Sequence, residues 1–305
     1  MTDGIISPNG VLSVVIITRN RPELLANCLD HLLAQDYRPL DVIVVDASDD
    51  ARTQEVVSGY PEVRYVRFHR AHQIPASRNE GIRHARGDII AFLDDDSMVQ
   101  PGWARQLMAN YTSPTIGGVG GLVLGPGEQG RTGGAVGTVT RTGSVLGDFD
   151  VITDGPVEVG HLRGCNMSFR REALDAVGGF DPLLDMSNYR DETDVCMGVV
   201  RAGFKLIYDP RVAVVHMYAA KDGFQRDDWK DPWHRYSIAK NTAYFRLKHF
   251  ASPRTAAEIY LGGPLLVARQ VLKRSGIAGL RLLAVEVAGR WAGGATWVRS
   301  RGRGA

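Results

Sequence analysis

The chain has 305 residues, of which 44% are hydrophobic and 23% are charged. This composition is typical of a soluble globular protein with a substantial core, built as one large or two small domains. The formal net charge of +2 excludes little by itself, but the charge is uneven, because residues 269–305 hold eight Arg or Lys against the single acid Glu286. No segment resembles a nucleic-acid-binding module, so the basic tail is not interpreted as one.

The cysteines indicate the cellular compartment of the protein, and the apolar runs indicate its membrane topology. Cys28, Cys165 and Cys196 are widely spaced and form no CxxC motif, which predicts buried thiols in a reducing compartment, without disulfides or structural zinc. Residues 1–10 lack the basic start and apolar stretch of a signal peptide, and no run approaches the ~20 apolar residues that span a bilayer. We therefore expect a cytoplasmic protein, with room for a peripheral contact on the cytoplasmic face of the membrane.

Apolar strands alternate with helical patterns along the first third of the chain. The predicted strands are 11–18, 41–46, 63–68 and 88–93, and the predicted helices are 21–33, 51–58 and 75–85. This alternation predicts a parallel sheet with right-handed crossovers, whose ligands bind outside the carboxyl ends of the strands. Three of these strands end in polar clusters, at 18–21, 46–50 and 94–96.

Three consecutive aspartates, Asp94, Asp95 and Asp96, follow the buried strand 89–93. One aspartate after a strand is an ordinary solvated turn residue. Three carboxylates packed together are electrostatically unfavourable unless they share a cation. The sequence therefore favours a divalent-metal site here over a simple turn.

The middle of the chain changes character. Residues 116–164 are rich in glycine, valine and threonine, which predicts short strands and mobile loops that a ligand can approach closely, although surface linkers share this composition. Residues 163–171 then predict a strand that enters a helix at 172–177. The acidic run 191–194 opens the next helix, 195–202, where capping explains one or two acids but leaves room for a catalytic one. Two further strands are predicted at 205–208 and 212–216, the second ending on His216.

The C-terminal part is predicted to be helical. Residues 229–250 form an aromatic and basic helix that we expect to pack on its own domain. Residues 254–305 alternate Leu, Val, Ala and Trp with isolated arginines. Such segments can lie in the interface of an anionic membrane, and a dimerisation helix pair fits the same residues.

In combination, several of these segments resemble glycosyltransferase family 2, the inverting nucleotide-sugar enzymes with the GT-A fold. The resemblance spans roughly Val11 to His216. It is carried by the segments 14–21, 45–49, 76–81, 92–96 and 164–171, and by the acidic helix start that leads to Gly203 and His216. Each segment alone is a weak signal, whereas the joint pattern in the family's order is highly specific.

The resemblance implies roles for individual residues. It implies a nucleotide-sugar site that contains Thr18, Arg19, Asn20, Asp46, Arg78, Asp94 and Asp95. It further implies a Mn²⁺ or Mg²⁺ site formed by Asp96, Asp94 and His216, in which Asp96 is the ligand and Asp94 also faces the ribose or sugar; a lone histidine after a strand is otherwise usually structural. Oxygen ligands suit these hard cations, which neutralise the leaving diphosphate as Lewis acids. A structural role is the alternative for Asp95.

For the general base the family places an acid in an ED motif, and this chain has the reversed order Asp191-Glu192. By position Glu192 matches the base, but the longer glutamate reaches further, so the role could shift to Asp191. Either carboxylate could take the proton of an acceptor hydroxyl that attacks the anomeric carbon opposite the leaving diphosphate. The resemblance also places Arg163 and Asn166 on the acceptor side, with a structural, fully hydrogen-bonded Asn166 as the alternative.

We therefore expect an α/β enzyme with a GT-A (Rossmann-like) fold, a mainly parallel central sheet and a helical C-terminal extension. The predicted boundaries are a tail at 1–10, a catalytic domain at 11–220 with a nucleotide-sugar half (11–110) and an acceptor half (111–220), and a basic extension at 221–305. The expected activity is metal-dependent, inverting transfer of a sugar to a hydroxyl of a glycan, a lipid-linked sugar or a small molecule. A homodimer and a peripheral membrane contact through 254–305 are its candidate associations, and nucleic acid is not an expected partner.

Three alternatives remain. A metal-dependent nucleotidyltransferase would favour a glycine-rich, basic phosphate loop after the first strand, which the segment 18–22 is not. A phosphoacceptor receiver domain also gathers aspartates at strand ends, but it would be far shorter and would not use the acidic helix or His216. The reversed Asp191-Glu192 pair is the main argument for the third alternative, a non-catalytic sugar-nucleotide binder.

Overall fold

In the computed structural model of the protein, the described residues are 10–70, 72–140, 142–187, 189–217, 231–265, 268 and 280–302. They form two compact units. The first contains the described residues of 1–140, 144–181 and 192–219, and the second contains those of 141–143, 182–191 and 220–305. Most of the predicted tail at 1–10 and the predicted boundary at 220–221 lie outside the described residues.

Thirteen strands occur among the described residues. They are β1 (Leu12–Thr18), β2 (Leu40–Asp46), β3 (Val63–Arg67), β4 (Ile89–Asp94), β5 (Ser97–Val99), β6 (Ile116–Leu124), β7 (Arg131–Thr132), β8 (Thr138–Val139), β9 (Val145–Leu146), β10 (Val151–Ile152), β11 (Val157–Val159), β12 (Met167–Arg170) and β13 (Lys205–His216). The helices of the first unit are α1 (Pro22–Leu33), α2 (Arg52–Ser58), α3 (Ile74–His84), α4 (Trp103–Ala109), α5 (Arg171–Val177) and α6 (Asp191–Arg201), which begins one residue before this unit resumes. The strands and helices predicted for residues 11–93 are confirmed to within a few residues at their ends.

Nine of the strands in the described part of the chain form one sheet, in the order β11-β13-β6-β12-β4-β1-β2-β3, with β5 paired to β13. β1, β2, β3 and β4 run parallel, and their register places Thr18 opposite Asp46 and Ile17 opposite Asp94. The carboxyl ends of these strands therefore meet at one edge of the sheet, where parallel sheets bind ligands. This is the mainly parallel sheet that the sequence predicts.

The parallel strands are continuous apolar runs because helices cover both faces of such a sheet. Val14, Val15 and Ile16 of β1 have no exposed surface, and neither do Leu25 and Leu29 on the inner face of α1. A proline at the first position of α1 fits because the N–H that it lacks would have no partner within the helix. The resulting core fixes the strands whose ends carry the polar clusters.

An antiparallel strand, β12, joins the parallel strands to the other half of the sheet by pairing with both β4 and β6. β13 runs parallel to β6 as one strand with a register shift between Asp209 and Val214. The prediction of two separate strands at 205–208 and 212–216 was wrong, because the chain keeps its pairing with β6 on both sides of the irregularity. The end of β13 pairs with β5 so that His216 lies opposite Ser97, directly after the aspartates.

The glycine-rich segment contributes more to the core than the sequence predicts. Its first part is the nine-residue strand β6, and eight of those residues are buried between β12 and β13. A methyl group at Gly121 would lie 2.0 Å from the carbonyl oxygen of Val212, so no other residue fits here without moving the backbone. The short strands expected in this segment follow from residue 131 onward.

The second unit is helical in its described C-terminal part. It contains α7 (Pro232–Phe250), α8 (Pro253–Ala257), a π-helical turn (Glu258–Gly262) and α9 (Leu280–Arg301). Residues 229 and 230 of the helix predicted at 229–250 lie outside the described residues. Close packing of α9 on α7 depends on Gly289 and Gly293, where a methyl group would lie 2.5 Å and 2.3 Å from the carbonyl oxygens of Tyr236 and Lys240. None of the helices in the described residues combines the length and apolar character needed to cross a bilayer.

Candidate active site

The three aspartates at the end of β4 occupy different environments. Asp95 points into the protein, where Thr18 Oγ1 donates a hydrogen bond to Asp95 Oδ2 at 2.7 Å and Arg21 Nη1 donates to Asp95 Oδ1 at 3.0 Å. Burial raises the pKa of Asp95 to about 7, although the charge of Arg21 acts in the opposite direction. These contacts favour the structural alternative for Asp95, because both of its carboxylate oxygens bind other side chains.

Asp94, Asp96 and His216 bring their ligand atoms together. His216 Nε2 lies 2.9 Å from Asp96 Oδ1 and 3.8 Å from Asp94 Oδ2. Asp94 remains partly accessible, with 28% of its side chain exposed. The two carboxylates supply the oxygen ligands that Mn²⁺ and Mg²⁺ prefer, with the imidazole as a further donor beside them, so the residues present fit the metal that the sequence predicts.

The electrostatics of these ligands differ. Burial raises the pKa of the Asp94 carboxyl against the opposing charges of Arg78 and His216. Burial also favours a higher pKa for Asp96, but its hydrogen bond to His216 outweighs that and lowers the pKa. For His216 burial acts to lower the pKa, and the bond to Asp96 together with the charge of Asp94 raises it. Of the two carboxylates in this group, Asp94 is thus the one whose negative charge is less well compensated.

Two other side chains border this group of ligands. The ligand atoms of Cys165, Asp94 and His216 lie within 4.8 Å of one another. Arg78 Nη2 lies 3.7 Å from Asp94 Oδ1, and its guanidinium is held over the ring of Phe180 at 5.3 Å from the ring centre. All three cysteines are buried free thiols, as predicted. Arg78 supplies a nearly buried positive charge beside the aspartates.

Glu192 lies in the first turn of α6, and its two carboxylate oxygens are held from different sides. The backbone N–H of Gly164 donates to Oε2 at 2.6 Å, and His161 Nε2 lies 3.5 Å from Oε1. Burial acts to raise the pKa of Glu192, but His161, Arg163 and Arg78 outweigh burial and lower it to about 2. Glu192 is therefore an ionised, oriented carboxylate.

Gly164 connects the carboxylate to the aspartate side of the site. A methyl group at this position would lie 2.2 Å from Glu192 Oε2 and 3.0 Å from Arg78 Nη2. A residue with a side chain would displace one or both groups. Glu192, Arg78 and Asp94 thus form one continuous charged cluster.

The neighbouring acid Asp191 differs from Glu192 in accessibility. Asp191 has no exposed surface, whereas 23% of the Glu192 side chain is exposed. A general base must reach the hydroxyl proton that it removes, directly or through one water molecule. Accessibility therefore favours Glu192 for this role, and the assignment between the two acids stays a prediction.

The residues predicted to bind the nucleotide surround the ends of β1 and β2. Asn20 has φ = 57° and exchanges two hydrogen bonds with Asp49, one through each group of its amide. Arg19 binds the same carboxylate at 3.1 Å and also contacts His72. Thr18 is 6% exposed, and its hydroxyl donates a hydrogen bond to Asp95.

Asp46 is buried below these residues without exposed surface. It accepts hydrogen bonds from Ser48 N, the Tyr65 hydroxyl and Arg67 Nη1 at 2.8, 2.7 and 3.0 Å. A direct contact with a nucleotide base would require one of these partners to move. The nucleotide contact of Asp46 therefore remains a prediction.

The two predicted acceptor residues lie in different surroundings. Arg163 is half-buried, and its charge lowers the pKa of Glu192. Asn166 has no exposed surface, and its amide binds Trp103 Nε1 and the carbonyl oxygens of Leu122 and Val212. The structural alternative therefore accounts for every amide contact of Asn166, and of the two residues only Arg163 borders the charged cluster.

Two residues that bear on the site were not assigned a role from the sequence. Arg21 Nη1 lies 3.0 Å from Asp95 and 3.4 Å from Asp96, so it bridges the two carboxylates. The signal in the sequence is its place in the polar cluster 18–21 after β1. His161 is 2% exposed and packs edge-on against the ring of Phe149, with the ring centres 5.7 Å apart. No local pattern in the sequence marks His161, because its contact with Glu192 forms only in the folded chain.

Solved structures share this fold. The chain superimposes on GalNAc-T7, solved with UDP, GalNAc and Mn²⁺, with a TM-score of 0.67 and 18% identity over 84% of this chain and 50% of the other. It also superimposes on the mannosyltransferase PcManGT of Pyrobaculum calidifontis, solved with GDP-Man and Mn²⁺, with a TM-score of 0.58 and 19% identity over 97% and 86% of the two chains. The predicted GT-A fold is confirmed.

Relatives with curated names are also similar in sequence. The O-antigen biosynthesis protein RfbC of Myxococcus xanthus is 24% identical over 74% of this chain, which spans only 19% of the length of RfbC. The glucosyl-dolichyl phosphate glucuronosyltransferase of Haloferax volcanii is 26% identical over 74% of this chain and 75% of its own length. The sequence profile of glycosyl transferase family 2 matches residues 13–178, more than half of the chain. The chain therefore belongs to glycosyltransferase family 2.

Proposed function

We propose that the protein transfers a sugar from a nucleoside diphosphate donor to a hydroxyl acceptor, with inversion at the anomeric carbon and with a divalent cation. One observation carries the proposal: the side chains of Asp94, Asp96 and His216 lie together, in the same charged cluster as the carboxylate of Glu192. Such a cluster can act on both the leaving group and the attacking group of a displacement. The structures of GalNAc-T7 and PcManGT, which contain Mn²⁺ and a nucleotide or nucleotide sugar, support this choice of ligands.

Asp94, Asp96 and His216 are the residues that would hold the cation. The cation would supply Lewis-acid neutralisation of the negative charge that develops on the departing diphosphate. Arg78 adds a fixed positive charge 3.7 Å from Asp94 and is kept in place by the ring of Phe180. Because Arg78 is only 3% exposed, its interaction with a phosphate oxygen would be weakly screened by water.

Glu192 acts as the general base in this proposal. The acceptor oxygen forms a bond to the anomeric carbon, the bond from that carbon to the diphosphate oxygen breaks, and the hydroxyl proton passes to the Glu192 carboxylate. The pKa of about 2 keeps Glu192 ionised at every physiological pH. Gly164 N–H and His161 fix the direction of its lone pairs, which reduces the reorganisation needed when the proton is transferred.

The donor and acceptor are proposed only as chemical classes. Arg19, Asn20 and Asp46 lie at the edge where a nucleoside would sit beside the aspartates, and the neighbouring structures contain UDP and GDP-Man. The name of the Haloferax volcanii relative describes a lipid-linked sugar phosphate as its substrate. We therefore propose a uridine, guanosine or thymidine diphosphate sugar as donor, and a hydroxyl on a glycan or a lipid-linked sugar as acceptor.

A donor panel tests the proposal. Purified protein is incubated with Mn²⁺ and diphosphate sugars of uridine, guanosine and thymidine, and the release of nucleoside diphosphate is measured. Release with at least one donor is expected, and Glu192→Gln is expected to lower it at least about 100-fold, since a general base contributes on that scale. Asp191→Asn is the comparison variant, and it is expected to retain turnover because Asp191 is not accessible.

The alternatives give different results in the same assay. A nucleotidyltransferase would form pyrophosphate from a nucleoside triphosphate and a sugar phosphate. A non-catalytic binder would bind a donor in calorimetry yet release no diphosphate from any member of the panel. Unchanged turnover of Glu192→Gln would contradict its role as base, whatever the donor.

A further inference from the structure

The outward side of α9 carries an unusual set of residues. Leu280, Trp291 and Val298 are 48%, 63% and 63% exposed, and the spacings of 11 and 7 residues place them on one side of the helix. The remaining exposed positions between Leu280 and Val298 are Arg281 and the alanines 284, 288 and 295. We call this side of α9, from Leu280 to Val298, the apolar face.

The apolar face continues onto the preceding turn of the same unit. The ring of Trp291 lies against Tyr260 with the ring centres 4.7 Å apart, and the next residue, Leu261, is 66% exposed. Large contiguous apolar patches are uncommon on the surface of a soluble monomer and mark sites of interaction. The opposite side of α9 is buried in the same unit, because its glycines pack on α7.

The charges of α9 are arranged in a way that selects the partner. Glu286, the single acid between Leu280 and Arg301, is only 8% exposed and pairs with Arg235 and Arg290 of the same unit. Every exposed charge on the helix is therefore positive: Arg281 near its start, and Arg299 and Arg301 near its end. Cations thus flank both ends of an uncharged surface.

A second copy of the chain is a poor fit to this pattern. In an antiparallel pair of α9 helices Arg281 would approach Arg299 of the other copy, and in a parallel pair each arginine would approach its equivalent. Like charges at close range disfavour both arrangements. A surface with negative charges above an apolar layer fits better, because the charges attract the arginines and the apolar layer removes the apolar side chains from water.

We propose that the apolar face of α9 docks onto an anionic lipid bilayer. Leu280, Trp291 and Val298 enter the boundary between head groups and acyl chains, and Arg281, Arg299 and Arg301 bind lipid phosphates. Tryptophan suits this depth because its ring is apolar while its N–H can still reach water or a head group. The helix lies in the plane of the bilayer, in agreement with the lack of a spanning helix among the described residues. This proposal goes beyond sugar transfer and does not depend on it.

Vesicle sedimentation with the full chain tests the proposal. Vesicles of phosphatidylcholine alone are compared with vesicles that contain about 30% phosphatidylglycerol, at about 0.1 M and about 0.5 M NaCl. We expect sedimentation with the anionic vesicles only, weakened at the higher salt concentration. Leu280→Ser combined with Val298→Ser is expected to weaken partitioning at least about tenfold, because two apolar side chains no longer leave water.

A matched control uses an exposed apolar residue elsewhere. Val200 in α6 is 43% exposed, and Val200→Ser removes the same kind of side chain from the first unit. It is expected to sediment like the unmodified protein. Circular dichroism and thermal unfolding of each variant check that the fold is retained, and Arg281→Gln with Arg299→Gln offers a second test that leaves the apolar residues in place.

Several results would overturn the proposal. Equal sedimentation with both kinds of vesicle, no sedimentation with either, or equal loss in the Val200→Ser variant would each do so. A protein that dimerises in analytical ultracentrifugation, and loses the dimer in the Leu280→Ser, Val298→Ser variant, would show that a second copy covers the face instead.

Discussion

Strands β2 and β4, which lie on either side of β1 in the sheet, both end in buried or partly buried aspartate, yet the two ends are electrostatically different. Asp46 at the end of β2 has no exposed surface, and Ser48, Tyr65 and Arg67 bind its carboxylate. Asp94 at the end of β4 is partly exposed, with Arg78 at 3.7 Å and His216 at 3.8 Å. The first carboxylate is fully hydrogen-bonded within the protein, whereas the charge of the second is only partly compensated.

This difference shows why an aspartate after a parallel strand is a weak sign of function by itself. Both positions meet the same edge of the sheet, and the sequence assigns both to the nucleotide-sugar site. What separates them is the supply of donors from adjacent strands, such as Arg67 at the end of β3. Incomplete compensation of the charge, rather than position at the edge, marks the place where a bound cation would stabilise the folded protein.

The largest expected effect comes from neutralising Asp94, the less compensated of these two carboxylates. Asp94→Asn is expected to lower the rate of donor cleavage at least about 100-fold, because it removes electrostatic stabilisation from the leaving group. The free energy of unfolding without metal is expected to rise, since burial disfavours the charge of Asp94 in the folded state. Calorimetric titration with Mn²⁺ should show weaker binding.

Asp36→Asn provides the matched control for that variant. Asp36 pairs with Arg105 on the surface at 2.9 Å, and both side chains are 59% exposed. Its neutralisation should leave Mn²⁺ binding, turnover and stability nearly unchanged. Lower stability of Asp94→Asn without metal would contradict the idea that its charge is incompletely compensated.

The opposite outcome is expected at the other strand end. Asp46→Asn leaves Arg67, whose side chain is 30% exposed, without its carboxylate partner, and the loss of this charged hydrogen bond is expected to lower the free energy of unfolding by about 2 kcal/mol. Mn²⁺ affinity should change little, because Asp46 is not one of the metal ligands. Chemical denaturation measures the first effect and calorimetry the second, and a stable Asp46→Asn variant that has lost Mn²⁺ binding would reverse the comparison.

The pH dependence of stability tests the charge of Glu192. Its pKa in the folded protein is about 2, below the ordinary value of 4.5, so its ionisation stabilises the fold. This contribution is fully present above about pH 5 and is lost as the pH falls toward 2; its upper limit is about 3 kcal/mol, at about 1.4 kcal/mol per pKa unit. Thermal unfolding of the protein and of Glu192→Gln should therefore converge as the pH is lowered. A difference that is constant with pH would exclude a lowered pKa.

The smallest expected effect comes from His161, which touches the base rather than the substrate. His161→Phe keeps the packing on Phe149 but removes the donor to Glu192, and kcat is expected to fall about tenfold. His161 is the first of the groups that lower the pKa of Glu192, so that pKa should rise when His161 is replaced. The acid limb of the pH profile should therefore move to higher pH. Donor KM should stay the same, since the aspartate side of the site is intact.

His161→Gln separates positioning from packing. Glutamine retains an N–H donor, so it should restore part of the kcat that His161→Phe loses. Equal losses of kcat in both variants, with an unmoved pH profile, would mean that His161 only fills space.

Much of the fold could be predicted from the sequence because its signals are local. The runs 14–17, 42–45 and 89–93 are apolar over the length of a buried strand, and helix signals such as Pro22 stand beside them. The family resemblance groups Asp94, Asp96 and His216, whose side chains lie within 4 Å of His216 Nε2 in the structure, and their role as metal ligands stays a prediction. The continuity of β13 was not predictable, because the irregularity between Asp209 and Val214 is bridged by pairing with β6.

The contacts of single side chains were less accessible from the sequence. Asn166 has the residue type and motif of a ligand-binding position, but three partners from separate segments use its amide. Glu192 and His161 are 31 positions apart, and no periodic pattern links them. In both cases the deciding contacts join segments whose distance in space depends on the whole sheet.

The pairing of β5 with β13 has a consequence for the kinetics of the site. Ser97 lies opposite His216, and the N–H of Met217 donates to the carbonyl oxygen of Asp96 at 2.8 Å, so one short ladder holds His216 beside Asp96, two residues after Asp94 at the end of β4. Opening of that ladder would separate His216 from both aspartates in a single local unfolding event. Hydrogen exchange at Met217 therefore reports on the integrity of the whole ligand group, and a bound cation should slow that exchange in proportion to its occupancy.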